Sequence, residues 1–323
     1  MGVVLMLLAG AAAAQNLNCL SASDIDAGAK NYLDQTGQQY FRMSAAGDYA
    51  GLKASSIPSL ASNFGGVETA VTDHKADFAG AQATEQSLYV LEAPGSAPVQ
   101  RAEFYCGIFN SADRVLFVIP NLPAGRYAIL TQGVTGGKQA VRLTTILFQQ
   151  GNKWLLAGYT VKPERVAGHD VQWYLQQARQ YKSRGQNFAA YLYYLEAWDL
   201  SQPVDIEYTS MQDKLGDEME RAKPPDWPSQ QQPMNLMAGG KTYRITQLFP
   251  AVVGSDLDLI IKYVATTDVS NTAVAFQDNM AVIKAAVTRY PELRELFGGV
   301  VARAVDPSSG RDYGTLLAMK DVK

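Results

Sequence analysis

Reactive side chains are scarce in this chain. Its 323 residues hold two histidines, His74 and His169, and two cysteines, Cys19 and Cys106. That leaves little from which to build a metal centre, and the two histidines meet only if the fold brings them together. No metal and no cofactor is expected. The CxxC, HExxH, GxSxG and GxGxxG patterns of common redox, hydrolytic and nucleotide sites are missing. Charge is also thin. Charged residues make up 18%, the formal net charge is −3, and neither sign forms a run. Nucleic-acid partners need a basic footprint and are therefore excluded. Apolar runs stay shorter than the roughly 20 residues that cross a bilayer, so no transmembrane span is expected in the mature chain.

What is present is globular. Hydrophobic residues reach 47%, enough for a sizeable core spread over two or three units. Residues 1–14, MGVVLMLLAGAAAA, are apolar and end in small residues, as before the cleavage site of an export signal. No Lys or Arg precedes Lys30, so the basic start of such a signal is missing. Either the true start lies elsewhere or the stretch is a buried helix. Export to the periplasm or the outside is the expectation. Cys19 and Cys106 would then sit in an oxidising compartment. There they either pair or remain one thiol near the N-terminus and one core thiol in a strand.

Residues 140–163, AVRLTTILFQQGNKWLLAGYTVKP, organise the rest. Two apolar runs of strand length flank Gly151 and Asn152, a two-residue hairpin signal. Before them, Ser23 or Asp24 offers a cap for a long amphipathic helix, weakened by Gly37, with shorter helical pieces through Phe78. Strands are predicted at 87–91, 101–110, 114–119, 126–134, 139–149 and 153–162, the second and third joined through Ser111, Ala112 and Asp113. Gly133, Gly136, Gly137 and Lys138 suggest a phosphate loop but lack its Ser or Thr and its following helix, so they read as a hairpin turn. Helices followed by antiparallel strands define an α+β class.

Residues 24–163, from the opening helix to the closing hairpin with Gly151, Asn152, Lys153 and Trp154, resemble the nuclear-transport-factor-like cone, a relative of the cystatin-like folds. The resemblance implies a curved antiparallel sheet with helices packed on it and a pocket under the first helix. It transfers no activity, because that fold hosts enzymes, carriers and interaction modules alike. Residues 164–223 follow, with a helical hairpin at about 170–200. The spacing of Tyr181, Gly185, Ala190, Tyr194 and Ala197 resembles one tetratricopeptide unit. Residues 224–240 read as a Pro/Gln-rich linker. Residues 241–323 read as a ββαββ domain, with a turn at Gly254, Ser255 and Asp256 and a helix capped by Ser270 or Asn271. The whole chain resembles an exported bacterial protein.

Both faces of the central hairpin are apolar, whereas a sheet with one wet face alternates. The helical hairpin is expected to fold back over the second face. A monomer is thus expected, with pairing of two copies through the sheet as the alternative. For chemistry, His74 lies beside Asp73 and three residues before Asp77. A carboxylate-held imidazole is one way to build an acid–base site, and a surface cluster looks the same. His169 reads as a cap or hinge. Arg142, inside an apolar strand, either meets an acidic ligand or pairs with a residue such as Glu103. The resulting expectation is an exported, non-enzymatic protein that binds a protein partner or a small molecule. The alternative is a cone-pocket enzyme, of hydrolase or isomerase type, using His74 with Asp73 or Asp77.

Overall fold

Helix signals early, strand signals in the middle and a mixture at the end produce an α+β protein. The computed structural model describes residues 16–108, 111, 114–253 and 256–323. The leader read at 1–14, and parts of the turns read at 111–113 and 254–256, lie outside the described residues. In chain order the elements are β1 (Asn18–Ser21), α1 (Ala27–Ala46), α2 (Tyr49–Ala54), α3 (Pro58–Ser62), α4 (Gly65–Asp73) and α5 (Lys75–Phe78). Then come β2 (Gln82–Ala93), β3 (Val99–Cys106), β4 (Val115–Leu122), β5 (Gly125–Thr135), β6 (Val141–Gln150) and β7 (Lys153–Pro163). Next are α6 (Val171–Ser183), α7 (Asn187–Ser201), β8 (Glu207–Thr209) and α8 (Ser210–Ala222). The last are β9 (Met234–Ala238), β10 (Lys241–Val253), β11 (Asp256–Val264), α9 (Thr272–Arg289), α10 (Leu293–Leu296), β12 (Gly299–Val305) and β13 (Asp312–Ala318). Among the described residues, no helix is long and apolar enough to cross a membrane.

The chain forms two compact units. The first runs to Lys138 and adds Arg142–Val161 and Pro203–Ser210. Its main sheet has the order β1-β2-β5-β6-β7, and a smaller one has the order β3-β4-β8. The strand period of two sends alternate side chains to opposite faces. Leu88, Val90, Ala128, Leu130, Leu147 and Trp154 meet the helices, with Leu33, Tyr40, Leu52 and Phe64 opposite them. Leu91, Ile129 and Tyr127 meet Phe104, Phe117 and Val115 of the smaller sheet, with Ile146 and Phe148 packed against them.

The second face is therefore covered by β3, β4 and β8, and the expected cover by the helical hairpin is corrected. The reason is topological. The strands at 99–122 leave the main sheet to form their own layer, and β8 returns to β4 after the helices, Phe117 opposite Glu207. Burying each large side chain in this double layer contributes about 1.5–3 kcal/mol. Under α1, where the cone resemblance implies a pocket, Leu33 and Tyr40 share a buried core with Leu88, Val90 and Leu130 of the sheet. Gly37 lets the helix close on the sheet, because a Cβ there would collide with the Leu130 side chain. Tyr40 donates its hydroxyl to the carbonyls of Ser55 and Trp154, at 3.0 and 3.2 Å. The helix is capped by Asp26 rather than Ser23 or Asp24; Asp26 accepts from the Ala29 N–H.

The second unit holds Lys162–Gln202 and Met211–Lys323, with Gln139–Val141. Its sheet has the order β13-β12-β11-β10-β9, antiparallel except for the β11–β12 pair, which α9 connects in parallel. Helices α6 and α7 share one core with this sheet, so the hairpin belongs to the C-terminal unit. Phe188 stacks on Tyr290 with ring centroids 3.7 Å apart. The linker read at 224–240 is corrected as well. Trp227 packs edge-on against Tyr191 at 4.5 Å, and Met234–Ala238 forms β9, paired to β10. Gly239 and Gly240, at φ of 55° and 78°, are the two-residue turn of that hairpin, a conformation glycine adopts without strain. Three strands, not two, therefore precede the helix. Asn271 caps α9 by accepting from the Val274 N–H at 3.4 Å. On the buried face of that helix, Asn279 accepts from Tyr263 at 2.7 Å and donates to Thr315 at 2.9 Å.

Candidate functional site

His74 ends α4 and precedes α5. Its Nδ1 lies 2.8 Å from an Asp77 carboxylate oxygen, and the Asp77 side chain is buried. Asp73 is exposed and stands apart from this contact. The His74–Asp77 pair closes the α4–α5 corner, whose backbone is also held by Lys138 donating to the Ala76 carbonyl at 3.0 Å. The Phe78 ring lies against the imidazole, with centroids 6.4 Å apart.

Arg142 shares its strand face with Ile146 and Phe148, the face turned to the smaller sheet. Its electrostatic partner is Glu207 of β8. Burial pushes the Glu207 carboxyl up to about 7, and the Arg142 charge opposes that rise. Nearby in β5 and β6, Thr131 and Thr144 share a hydrogen bond of 3.0 Å. Glu103, the partner suggested by the sequence, instead accepts from Arg101 at 2.7 Å. It lies beside its partner on the exposed part of β3, while Glu207 arrives from much farther along the chain. Cys19 and Cys106 form a disulfide with Cα atoms 5.3 Å apart. It ties edge strand β1 to β3 of the other sheet and is consistent with an oxidising compartment.

His169 lies one residue before the α6 cap Asp170, which accepts from the Trp173 N–H. Its ring stacks on Trp173 with centroids 3.6 Å apart. Together with Asp256 and Glu295 they line a cleft of about 400 Å³ in the second unit. Glu295 there already accepts from Tyr181 at 3.3 Å. Among the described residues no group of three His, Cys, Asp or Glu side chains is placed to hold a metal ion.

A larger feature comes from β9, which no sequence argument singled out. It is an edge strand, so one side of its backbone is unpaired by the sheet. Between that edge and α9 lies a groove of about 640 Å³. Its floor is small and apolar, with Leu236, Ala238, Ala281 and Ala285. Met237, on the strand, is 65% exposed. Lys284 and Arg289 are the charged side chains of the lining. The legible signal was the alternation of Met234, Leu236 and Ala238 before Gly239-Gly240, which the surrounding prolines and glutamines masked. No protein-family model matches the chain, and neither a curated protein nor a solved structure matches it.

Proposed function

We propose that this is an exported, non-enzymatic protein of the periplasm or the extracellular space that binds a protein partner, taking an extended segment of it as an added strand on β9. One observation carries the reading: the open edge of β9 runs beside a groove walled by α9, and the groove's side chains are suited to contact rather than to chemistry. An exposed strand edge offers a row of N–H and C=O groups that an incoming strand satisfies. A new strand settles about 4.8 Å from β9, where Ala281 and Ala285 leave room for its side chains. The disulfide supports the exported setting.

The test is a random-peptide display selection on the full-length protein beside an Ala285→Arg variant, which fills the groove from a half-exposed helix position. Peptides of alternating apolar pattern should be enriched by the wild type and lost on the variant. Enrichment equal on both proteins, or none on either, would overturn the reading.

A further inference from the structure

Resting on that strand-addition reading, we propose that the β9–α9 groove selects the C-terminal end of an extended segment, and that Asp226 occupies the place of its terminal carboxylate in the free protein. Charge comes first. The groove lining holds Lys284 and Arg289 and no carboxylate. Lys284 forms no ion pair among the described residues. An occupant carrying a carboxylate is the one these cations favour.

The position of that carboxylate is marked by Arg289, the last residue of α9. One guanidinium nitrogen donates to the carbonyl oxygen of Asn235 on β9 at 3.3 Å, and the other donates to an Asp226 carboxylate oxygen at 2.9 Å. Arg289 thus holds an anion at one end of the groove while bonding the strand edge itself. A guanidinium across the edge also blocks a paired chain from continuing past Asn235, so a segment laid on β9 ends there. The anion it brings to that point is its own terminus. For the C-terminus to lie at Asn235, the segment must run antiparallel to β9.

Asp226 is exchangeable. Its contact with Arg289 is half-exposed on both sides, at 50% and 40%. Exposed pairs of this kind add about 0–1 kcal/mol. A terminal carboxylate presented together with backbone pairing along β9 would therefore displace it. Asp226 lies in the Pro-rich stretch before β9, so the intramolecular anion competes for the same guanidinium and sets a threshold for the partner.

The experiment measures fluorescence anisotropy of the full-length protein with labelled octapeptides of alternating Val and Thr. One has a free C-terminus, one a C-terminal amide, and one an amide with a glutamate in the middle. The free-acid peptide should bind about tenfold tighter than the amide, as charge-assisted contacts are roughly twice as strong as neutral ones. Arg289→Gln should remove that difference, and Arg289→Lys should restore part of it. Asp226→Asn should tighten the free-acid peptide about threefold and leave the amide unchanged. Equal binding of acid and amide would overturn the inference while leaving strand addition intact. Preference for the internal glutamate would also overturn it, placing the anion elsewhere along the groove. Weaker or unchanged binding with Asp226→Asn would overturn the competition. Concentration-dependent dimerisation that excludes every peptide would overturn both the inference and the reading beneath it, with a second copy as the occupant.

Discussion

The two units differ in how one edge strand of each main sheet is placed, β1 in the first and β9 in the second. In the first, the main sheet is covered on one face by helices and on the other by a second sheet. One of its two edge strands, β1, has four residues and is bound by a disulfide. Its conspicuous polar residues pair His74 with buried Asp77 and Arg142 with buried Glu207. In the second, edge strand β9 is left open beside a groove. The comparison teaches that conspicuous chemistry and available surface can lie in different units. His74, Asp77, Arg142 and Glu207 lie in the first unit, while the edge strand β9 of the second carries Met, Leu and Ala.

The largest test of that contrast removes the disulfide. Residues 19 and 106 are separated by 87 positions. Closing a loop of that length restricts the unfolded chain by about 4–5 kcal/mol in the entropy account. Cys19→Ser with Cys106→Ser should therefore destabilise the first unit by about 2–5 kcal/mol. Hydrogen exchange localises the effect. Amides of β3 and β4 should lose protection, whereas those of β11 and β12 keep it. Equal loss in both units would show that the two units are energetically one body.

How much of this was legible in the sequence follows from range. The central hairpin was, because Gly151-Asn152 and its flanking runs are local, and β6 and β7 begin and end within two residues of the expected bounds. The α+β class followed from the order of local periods. The partner of Arg142 was not, because Glu207 sits in a three-residue strand beyond two helices. A strand that short has no readable period. The cover of the second face was missed for a related reason. Nothing in residues 99–122 states that they leave the main sheet to make another. Residues 224–240 failed differently: proline and glutamine signalled a loose linker, while Trp227 and the alternation in β9 specified packing. Of the candidate site residues, the His74–Asp77 contact is an i,i+3 relation and was readable. The groove depends on α9 lying beside a strand from another stretch, and no local pattern reports it.

A second test uses a strongly buried glutamate from each unit. Burial pushes Glu196 in α7 up to about 7, and Asp199 adds to the rise. Glu207 is also pushed up to about 7 by burial, with Arg142 acting against it. Between the ordinary glutamate range and about pH 7, both folded carboxyls thus hold a proton that the unfolded chain has already released. Their contribution is fully present below the ordinary glutamate range and is lost as pH rises through about 7. The loss is at most about 3 kcal/mol for each. Denaturant midpoints measured from pH 4 to pH 9 should fall across that window, and Glu196→Gln or Glu207→Gln should each remove part of the slope. Arg142→Met separates the two. It should move the Glu207 portion to higher pH and leave the Glu196 portion in place. If both portions move together, the buried carboxyls are coupled and the two units are not electrostatically independent.

The smallest expected effect concerns His74, the residue whose chemistry looked richest. His74→Ala deletes one hydrogen bond, the 2.8 Å contact to Asp77. Bonds to a charged group contribute about 1.5–3 kcal/mol, and the buried acceptor left behind adds a desolvation cost. Asp77 has further interactions, and the imidazole is partly solvent-exposed, so the low end applies. A loss of about 1–2 kcal/mol is expected, read as a lower urea midpoint with an unchanged slope. Protection of the Lys138 amide, which bonds across to α5, should fall with it. Peptide binding at the β9–α9 groove should not change, since His74 belongs to the first unit and the groove to the second. A variant of unaltered stability that lost binding would reverse the assignment. It would make the His74–Asp77 pair a working site and the division of labour between the two units untenable.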